Sequence, residues 1–400
     1  MSFQIPFADR LNNVETSAIR ELFKLLGKPG IISFAGGFPD SAMFDVDGIR
    51  EAVNAALTEE AGGALQYGAT EGYQPLRDQL ASFMAGKGAQ SVGGNDLIVT
   101  TGSQQALDLL GKTLISPGDK VIVEGPTFLA TIQCFRLYGA ELISAPVDGD
   151  GVQTDVLERL IEQHKPKFVY LIPTFGNPSG AMLSEARRRQ VLAMAVKHDT
   201  LIVEDDPYGD LYFADAPPPS LLNLSAGVPG SRERLVHCGS LSKVLSPGLR
   251  VGWMVGPAEL LAKATMCKQF SDAHTSTFAQ ATAAQYLKAG RMPDTLSRVR
   301  QVYAERASTM GNALRRELGD AISFVQPQGG LFVWARLTGA GGKVKDGGEL
   351  ARRAIEKGVA FVPGAPFYAG QPDLSTLRLS FATVGVDKIE EGVARLAQAL

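Results

Sequence analysis

The chain has 400 residues, of which 45% are hydrophobic and 20% charged, with a formal net charge of -3. This composition is that of a globular protein of two or three domains and argues against disorder. The near-neutral charge without a basic run disfavours nucleic-acid binding, and no apolar run reaches the roughly 18 residues of a membrane helix. The three cysteines form no CxxC pair and the first residues do not resemble a signal peptide, so we expect a cytoplasmic protein.

The middle of the chain alternates short apolar runs with amphipathic stretches, which predicts parallel strands joined by helices. Strands are predicted at 97–101, 120–124, 141–146, 168–172, 201–204, 235–239 and 251–255, and helices at 128–138, 154–164 and 184–198, with another starting at residue 103. The apolar runs are nearly continuous, so helices should cover both faces of the sheet.

The last third of the chain has a different pattern. Helical stretches at 257–289 and 295–318 precede short strands at 322–325, 331–336, 359–362 and 377–380 and a final amphipathic helix. We therefore expect a large domain at 46–290 and a small α+β domain at 291–400. The segment at 1–45 is too short to fold alone and should pack with the small domain and the active site.

Several familiar motifs are absent from the sequence: the P-loop, HExxH and GxSxG. The run from Asp148 to Gly151 resembles the start of a calcium loop, but Arg159 stands where the closing glutamate should be. The four histidines show no ligand spacing, so no metal site is predicted. His237 lies in a predicted buried strand and is expected to be a core residue.

Four polar clusters follow predicted strands, at the sheet edge where open parallel sheets bind ligands. They are Thr101-Gly102-Ser103-Gln104-Gln105, Gly176-Asn177-Pro178-Ser179-Gly180, Glu204-Asp205-Asp206-Pro207-Tyr208, and Ser240-Leu241-Ser242-Lys243 with Pro247-Gly248-Leu249-Arg250. A glycine turn that starts a helix suits a phosphate, and a lysine among hydroxyls suggests an amine nucleophile beside an anion site. Taken singly, each cluster has an ordinary alternative, such as a helix cap at Ser103 or a surface lysine at Lys243.

In this order and spacing, the last three clusters resemble those of the pyridoxal-phosphate (PLP) aminotransferases of fold type I, class I/II. The chain is most similar to the 2-aminoadipate/kynurenine and aromatic or branched-chain subgroup, from about Ser17 to the C-terminus. Ser179 replaces the more usual threonine. The resemblance implies an α/β fold in which the large domain binds PLP on a mostly parallel sheet.

The resemblance also implies roles for individual residues. Lys243 would bind PLP covalently and carry a proton, and Asp205 would pair with the ring nitrogen. Asn177 and Tyr208 would hydrogen-bond the oxygen on the ring. The phosphate would be held by Ser103, Gln104, Ser240, Ser242 and Arg250. Phe128 would stack on the ring, although core packing is the alternative for this residue.

Substrate contacts follow from the same resemblance. Arg378, with Asn177, would bind the α-carboxylate, because an arginine inside an apolar strand needs an anion. Gly37 would let the N-terminal segment approach the substrate closely. Arg20 would meet a distal carboxylate or swing away from an apolar side chain, with an ordinary surface arginine as the alternative. Tyr67 would reach the cofactor phosphate of the neighbouring subunit, which implies a homodimer with a shared site.

The implied reaction moves the α-amino group of an L-amino acid, of 2-aminoadipate, aromatic or branched-chain type, to 2-oxoglutarate by a ping-pong mechanism. PLP-dependent elimination or decarboxylation on the same scaffold stays open, because the sequence does not show which bond to Cα is broken. A regulatory domain behind a winged helix is a third reading. It is disfavoured because the aminotransferase-like pattern begins by Ser17. The identity of the amino donor is not fixed by the sequence.

Overall fold

The structure is a computed structural model that describes residues 5–11, 30–340 and 343–400. Its strands are β1 (Ile32–Ser33), β2 (Leu97–Thr100), β3 (Lys120–Gly125), β4 (Glu141–Asp148), β5 (Gly151–Val152), β6 (Phe168–Leu171), β7 (Leu201–Asp206), β8 (Leu235–Ser240), β9 (Gly252–Val255), β10 (Ile322–Phe324), β11 (Phe332–Leu337), β12 (Val359–Ala360), β13 (Val362–Pro363) and β14 (Thr376–Ser380).

The α-helices account for most of the remaining regular structure. They are α1 (Val46–Glu59), α2 (Ala61–Leu65), α3 (Gln74–Ala85), α4 (Ser103–Leu114), α5 (Leu129–Leu137), α6 (Thr154–His164), α7 (Glu185–Lys197), α8 (Leu221–Ser225), α9 (Ala258–Ser271), α10 (Thr277–Lys288), α11 (Met292–Leu318), α12 (Gly347–Glu356) and α13 (Val386–Ala397). In the part of the chain that the structure describes, none of them is both long and apolar enough to cross a bilayer.

The central sheet has eight strands in the order β2-β9-β8-β7-β6-β3-β4-β5. Its middle, from β8 to β4, is parallel, and antiparallel pairs lie at its two ends. Every residue of β2, β6 and β8 is buried, as expected for strands covered on both faces. The predicted α/β fold with a mostly parallel sheet is therefore confirmed.

The C-terminal part forms a second sheet, with the antiparallel order β10-β11-β14-β13. Helices α11 and α13 pack against each other beside it. The N-terminal segment joins this part of the molecule, because β1 pairs in parallel with β12. The backbone nitrogen of Ser380 then donates to the carbonyl of Phe34 at 2.7 Å. These bonds place the glycines that follow Phe34 beside strand β14.

The continuous helical stretch predicted over 257–289 is wrong. The structure has two helices there, α9 and α10, separated by the loop at 272–276. Ala273 in this loop has a φ of 63°, a left-handed conformation that ends a regular helix. The Ser276 side chain then accepts from the backbone nitrogen of Ala279 and caps the second helix. Apolar periodicity alone did not reveal this break.

Candidate active site

The polar clusters that follow the predicted strands meet at the carboxyl edge of the central sheet. Asp205 is the second-last residue of β7, Asn177 follows β6, and Lys243 follows β8. These strands are adjacent and parallel, so their carboxyl ends lie side by side. The C-terminal sheet contributes Arg378 from β14, and Arg378 Nη1 donates to Asn177 Oδ1 at 2.8 Å. The cleft is therefore built from both parts of the chain.

Asp205 is a buried carboxylate with two unequal oxygens. Its Oδ2 accepts a hydrogen bond from the Tyr170 hydroxyl at 2.6 Å, whereas its Oδ1 is buried without a hydrogen-bond partner among the described residues. Burial raises the pKa of Asp205 to about 6, and the Tyr170 hydrogen bond opposes that rise. Near neutral pH the group is an anion with one oxygen available to a cationic or N–H partner.

The strand that carries Asp205 is anchored from its opposite face. Glu204 is fully buried and accepts from the backbone nitrogens of Leu221 and Leu222 at 2.6 and 3.1 Å. His237 Nδ1 lies 2.8 Å from Glu204 Oε2. His237 is therefore a satisfied core residue, as the sequence predicted. Side chains alternate along a strand, so this support does not compete for the face that Asp205 presents to the cleft.

Lys243 lies in the cleft with little contact to solvent. Its Nζ donates to the carbonyl of Gly37 at 2.9 Å. Burial and, to a smaller extent, the positive charges of Arg378 and Arg250 together lower the pKa of Lys243 to about 8. At neutral pH a substantial fraction of the amine is therefore neutral, which is the form that can act as a nucleophile or a base.

Arg378 is a buried cation held by aromatic and carbonyl groups. Its Nη2 donates to the carbonyl of Ala35 at 2.8 Å, and its Nε is buried with no hydrogen-bond partner in the described part of the chain. The guanidinium lies 4.4 Å from the ring centroid of Phe332 and 5.1 Å from that of Phe367. Burial lowers the pKa of Arg378 to about 10, so the group stays charged at neutral pH and retains hydrogen-bonding capacity for an anion.

Two further predicted residues line the same cleft. Tyr208 is buried and packs edge-on against Phe332, with ring centroids 5.9 Å apart. Burial raises the pKa of Tyr208, so its hydroxyl is protonated and can donate. A Cβ on Gly37 would lie 3.6 Å from the Arg378 guanidinium. The N-terminal segment thus runs directly against the arginine.

A cradle of hydrogen-bond donors lies where β2 turns into α4. Gly102 has a φ of 75°, which favours glycine, and a Cβ there would lie 2.5 Å from Arg250 Nη2. A Cβ on Gly252 would lie 2.9 Å from the backbone nitrogen of Ser103. Ser240 pairs with Gly252 across β8 and β9, and the backbone nitrogen of Ser242 donates to its hydroxyl at 3.1 Å. A helix start beside a guanidinium and hydroxyls suits a phosphate.

The remaining predicted residues have less decisive positions. Gln104 is exposed at the start of α4, and Phe128 is half-buried at the start of α5 and packs on the core. Tyr67 is 85% exposed and contacts the ring of His274 edge-on. Arg20 lies outside the described residues. The structure therefore brings the buried predicted residues, among them Lys243 and Arg378, together in one cleft. It leaves Tyr67 on the surface.

Sequence reasoning missed three side chains that contact the predicted residues or support them. Tyr170 and Phe332 lie inside buried strands and touch Asp205 and Arg378. A tyrosine in a buried strand needs a partner for its hydroxyl, and this signal could have drawn attention to Tyr170. Lys268 is fully buried in α9. Nothing in the surrounding sequence distinguishes it from a surface lysine.

Comparison with known proteins agrees with this geometry. A family model described as aminotransferase class I and II matches residues 31–396. The chain is 42% identical to the 2-aminoadipate transaminase of Thermus thermophilus, over all of this chain and 98% of that protein. It is 37% identical to aromatic-amino-acid aminotransferase 1 of Thermococcus litoralis, over all of this chain and 95% of that protein.

A solved structure supports the same grouping. The α-aminoadipate aminotransferase of Thermus thermophilus, in complex with N-(5'-phosphopyridoxyl)-L-leucine, matches with a TM-score of 0.89 and 41% identity, covering 98% of this chain and 97% of that one. The fold is that of PLP fold type I. The chain belongs to the class I and II aminotransferases and is a PLP-dependent transaminase.

The residues present fit this cofactor. Asp205 offers a buried oxygen without a partner among the described groups, which suits a protonated ring nitrogen. Gly102 lets the Arg250 guanidinium lie against the start of α4, and a cation beside a helix start suits a phosphate. Lys243 offers an amine whose pKa is lowered to about 8.

Proposed function

We propose that this protein transfers the α-amino group of an L-amino acid, of 2-aminoadipate, aromatic or branched-chain type, to 2-oxoglutarate by a ping-pong mechanism. The observation that carries the proposal is one buried cleft that holds an amine able to lose its charge, a carboxylate with an available oxygen and an arginine: Lys243, Asp205 and Arg378. The relatives named for 2-aminoadipate and aromatic amino acids support the donor class.

We infer that PLP is held at both of its ends. When bound, it supplies an electron-withdrawing ring that stabilises negative charge at the substrate Cα. Asp205 Oδ1 would bind the ring nitrogen, and Asn177 and Tyr208 would donate to the oxygen on the ring. Phe128 would contact the ring face. The phosphate would be held by Ser103, Gln104, Ser240, Ser242 and Arg250, which lie at or near the start of α4.

Lys243 Nζ would carry the proton in both half-reactions. As a neutral amine it can take a proton from the substrate Cα and deliver it to the cofactor carbon that is bonded to the substrate nitrogen. Its lowered pKa allows this near neutral pH, because less free energy is needed to reach the neutral form. The carbonyl of Gly37, 2.9 Å away, fixes the direction of the amine.

Arg378 would bind the α-carboxylate common to all the substrates. Asn177 Oδ1 and the Ala35 carbonyl already orient the guanidinium, and the rings of Phe332 and Phe367 hold its plane. A carboxylate would satisfy the buried nitrogen that has no partner within the described chain. Both charges gain from this contact, since each is costly to bury alone.

A second copy of the chain would complete the site. Tyr67 is 85% exposed, and Leu65 and Phe278, which line the same surface pocket, are 70% and 39% exposed. Large apolar side chains are rarely left in such clusters on a monomer. A homodimer that covers this face would bury them and bring Tyr67 to the cofactor phosphate of the neighbouring subunit.

The test is a donor screen with 2-oxoglutarate as the acceptor, using 2-aminoadipate, leucine, phenylalanine, kynurenine and alanine, with glutamate as the measured product. Glutamate formation from at least one of the first four donors, with parallel lines in double-reciprocal plots, is the expected result. Release of ammonia or carbon dioxide without glutamate would instead indicate a lyase or a decarboxylase and would overturn the proposal. The Lys243→Ala protein is the matched negative control.

A further inference from the structure

Lys268 is a lysine with no exposed surface, on helix α9 behind the turn that starts α4. Its Nζ donates to Gln105 Oε1 at 2.7 Å, to Asp272 Oδ2 at 2.9 Å and to Thr275 Oγ1 at 3.0 Å. A lysine is almost never fully buried unless it is paired, because removing an ammonium group from water is costly. Here the oxygens of three side chains compensate for that cost, so the position of the ammonium group is tightly defined.

The partners of Lys268 in turn hold the residues of the turn. The backbone nitrogen of Thr101 donates to Gln105 Oε1 at 2.8 Å, and the Thr101 hydroxyl donates to Asp272 Oδ2 at 3.0 Å. Gln105 Nε2 also donates to Asp272 Oδ2, at 2.7 Å. Lys268 thus binds Gln105 and Asp272, which in turn bind the amide and the hydroxyl of Thr101. Thr101 directly precedes the Gly102 turn.

The opposite side of the same turn is bound by Arg250. Its Nη2 donates to the carbonyl of Thr101 at 3.3 Å, and Gly102 leaves room for the guanidinium. Thr101 is therefore held from the cleft side by Arg250 and from the protein interior by the Lys268 network. Donors at a helix start bind an anion well only when they already point in the right directions, since ordering them on binding costs free energy.

We propose that Lys268 is a positioning residue for the cofactor phosphate: through Gln105 and Asp272 it holds the turn from Thr101 to Ser103 in the shape that presents its donors to that phosphate. The inference rests on the proposed function, since it assumes that this turn binds the phosphate of PLP. It assigns no contact between Lys268 and the cofactor. Asp272 balances the charge of Lys268, so the effect comes from geometry rather than from added positive charge.

The test measures the affinity of the cofactor-free protein for PLP and for pyridoxal, which lacks the phosphate, by quenching of intrinsic fluorescence. Lys268→Met removes the network at its centre. Gln105→Leu removes only the amide that joins Lys268 to Thr101, on a side chain that is not fully buried. Lys263→Met changes an exposed lysine on the same helix and is the matched control. Circular dichroism shows which variants are folded.

We expect the Kd for PLP to rise about tenfold or more in Lys268→Met and Gln105→Leu, the scale of a lost charge-assisted hydrogen bond. The Kd for pyridoxal should change less than about twofold, and Lys263→Met should match the unaltered protein. Unchanged PLP affinity in the folded variants, or equal losses for PLP and pyridoxal, would overturn this inference alone. If Lys268→Met does not fold, Gln105→Leu decides the question. Failure of the unaltered protein to bind PLP would overturn the proposed function as well.

Discussion

The Tyr170 hydroxyl donates a 2.6 Å hydrogen bond to Asp205 Oδ2, whereas Oδ1 is buried without a partner among the described residues. Burial, followed by the charge of Asp205, raises the pKa of Tyr170 well above its usual value, so the hydroxyl remains a donor. The bond stabilises the ionised form of Asp205, which burial otherwise disfavours. The tyrosine thus sets both the direction and the charge of the carboxylate.

Tyr170→Phe should raise the pKa of Asp205 above its value of about 6, because the bond that lowers it is gone. The other charged neighbours, Asp206, His237 and Glu204, are unchanged by the substitution. PLP affinity of the cofactor-free protein should then fall near pH 6–7 and recover at higher pH, where Asp205 is ionised in both proteins. Titrations of PLP binding across this range test the shift. Tyr303→Phe, another buried tyrosine in helix α11, should leave the profile unchanged.

Asp205→Asn keeps the shape of the side chain and removes its charge. The ring nitrogen of bound PLP should then lose its proton, and the rate of each half-reaction should fall by about two powers of ten or more. PLP affinity should fall less, because the phosphate contacts remain. The nitrogen-15 chemical shift of labelled cofactor measures the protonation of the ring nitrogen. Single-turnover kinetics measure the rate of each half-reaction. Asp206→Asn is the control, and an inactive Asp206→Asn beside an active Asp205→Asn would show that the wrong carboxylate had been assigned.

Covalent capture of PLP by Lys243 should depend on pH in a specific direction. With a pKa of about 8, roughly a quarter of the amine is neutral at pH 7.5, against about one part in a thousand for an ordinary lysine. The capture rate should therefore rise as the pH increases through about 8 and level off above it. Borohydride treatment followed by mass spectrometry locates the modified residue. Lys243→Ala should show no modification, and equal labelling of that variant would refute the assignment.

If the site is shared between subunits, mixing the Tyr67→Phe and Lys243→Ala variants should restore activity that each variant lacks alone. In a heterodimer of Tyr67→Phe and Lys243→Ala, one of the two sites would receive an intact Lys243 from one subunit and an intact Tyr67 from the other. Random mixing in equal amounts makes half of the dimers mixed, so about a quarter of the sites should be active. Activity of the mixture, after each variant has been tested alone, measures this. No recovery after verified subunit exchange would place Tyr67 outside its partner's site.

Arg20→Ala should separate acidic from apolar substrates. This prediction rests on the family resemblance, since Arg20 lies outside the described residues. The KM for 2-oxoglutarate should rise by about one to two powers of ten, the scale of a lost charge-assisted hydrogen bond. The half-reaction with leucine or phenylalanine should change far less. Arg10→Ala, at an exposed arginine, is the control. Equal losses for both substrate classes would return Arg20 to an ordinary surface role.

The fold and the residues that line the cleft were predicted from two different features of the sequence. Near-continuous apolar strands and the order of motifs around Asn177, Asp205 and Lys243 were enough for the α/β fold and for the residues at its carboxyl edge. The bond between Gly37 and Lys243, and that between Asn177 and Arg378, join positions about 200 residues apart. Local patterns contain no signal for such contacts, which depend on how the two sheets pack.

Side chains that act through others were the hardest to predict. Lys268 lies in a stretch whose apolar periodicity does not show which face is buried, and the break in that stretch after α9 was missed. The same break creates the loop that supplies Asp272 and Thr275 to Lys268. Because the loop was not predicted, the network built on it could not be predicted either.

The pairing of β1 with β12, and of Phe34 with Ser380, has a consequence for synthesis of the protein. The strand that precedes Gly37 pairs with residues 359, 360 and 380, which are translated long after it. Strand β14, which carries Arg378, is likewise translated after every strand of the central sheet. A message truncated before the codon for Arg378 would therefore yield a chain whose cleft lacks one wall.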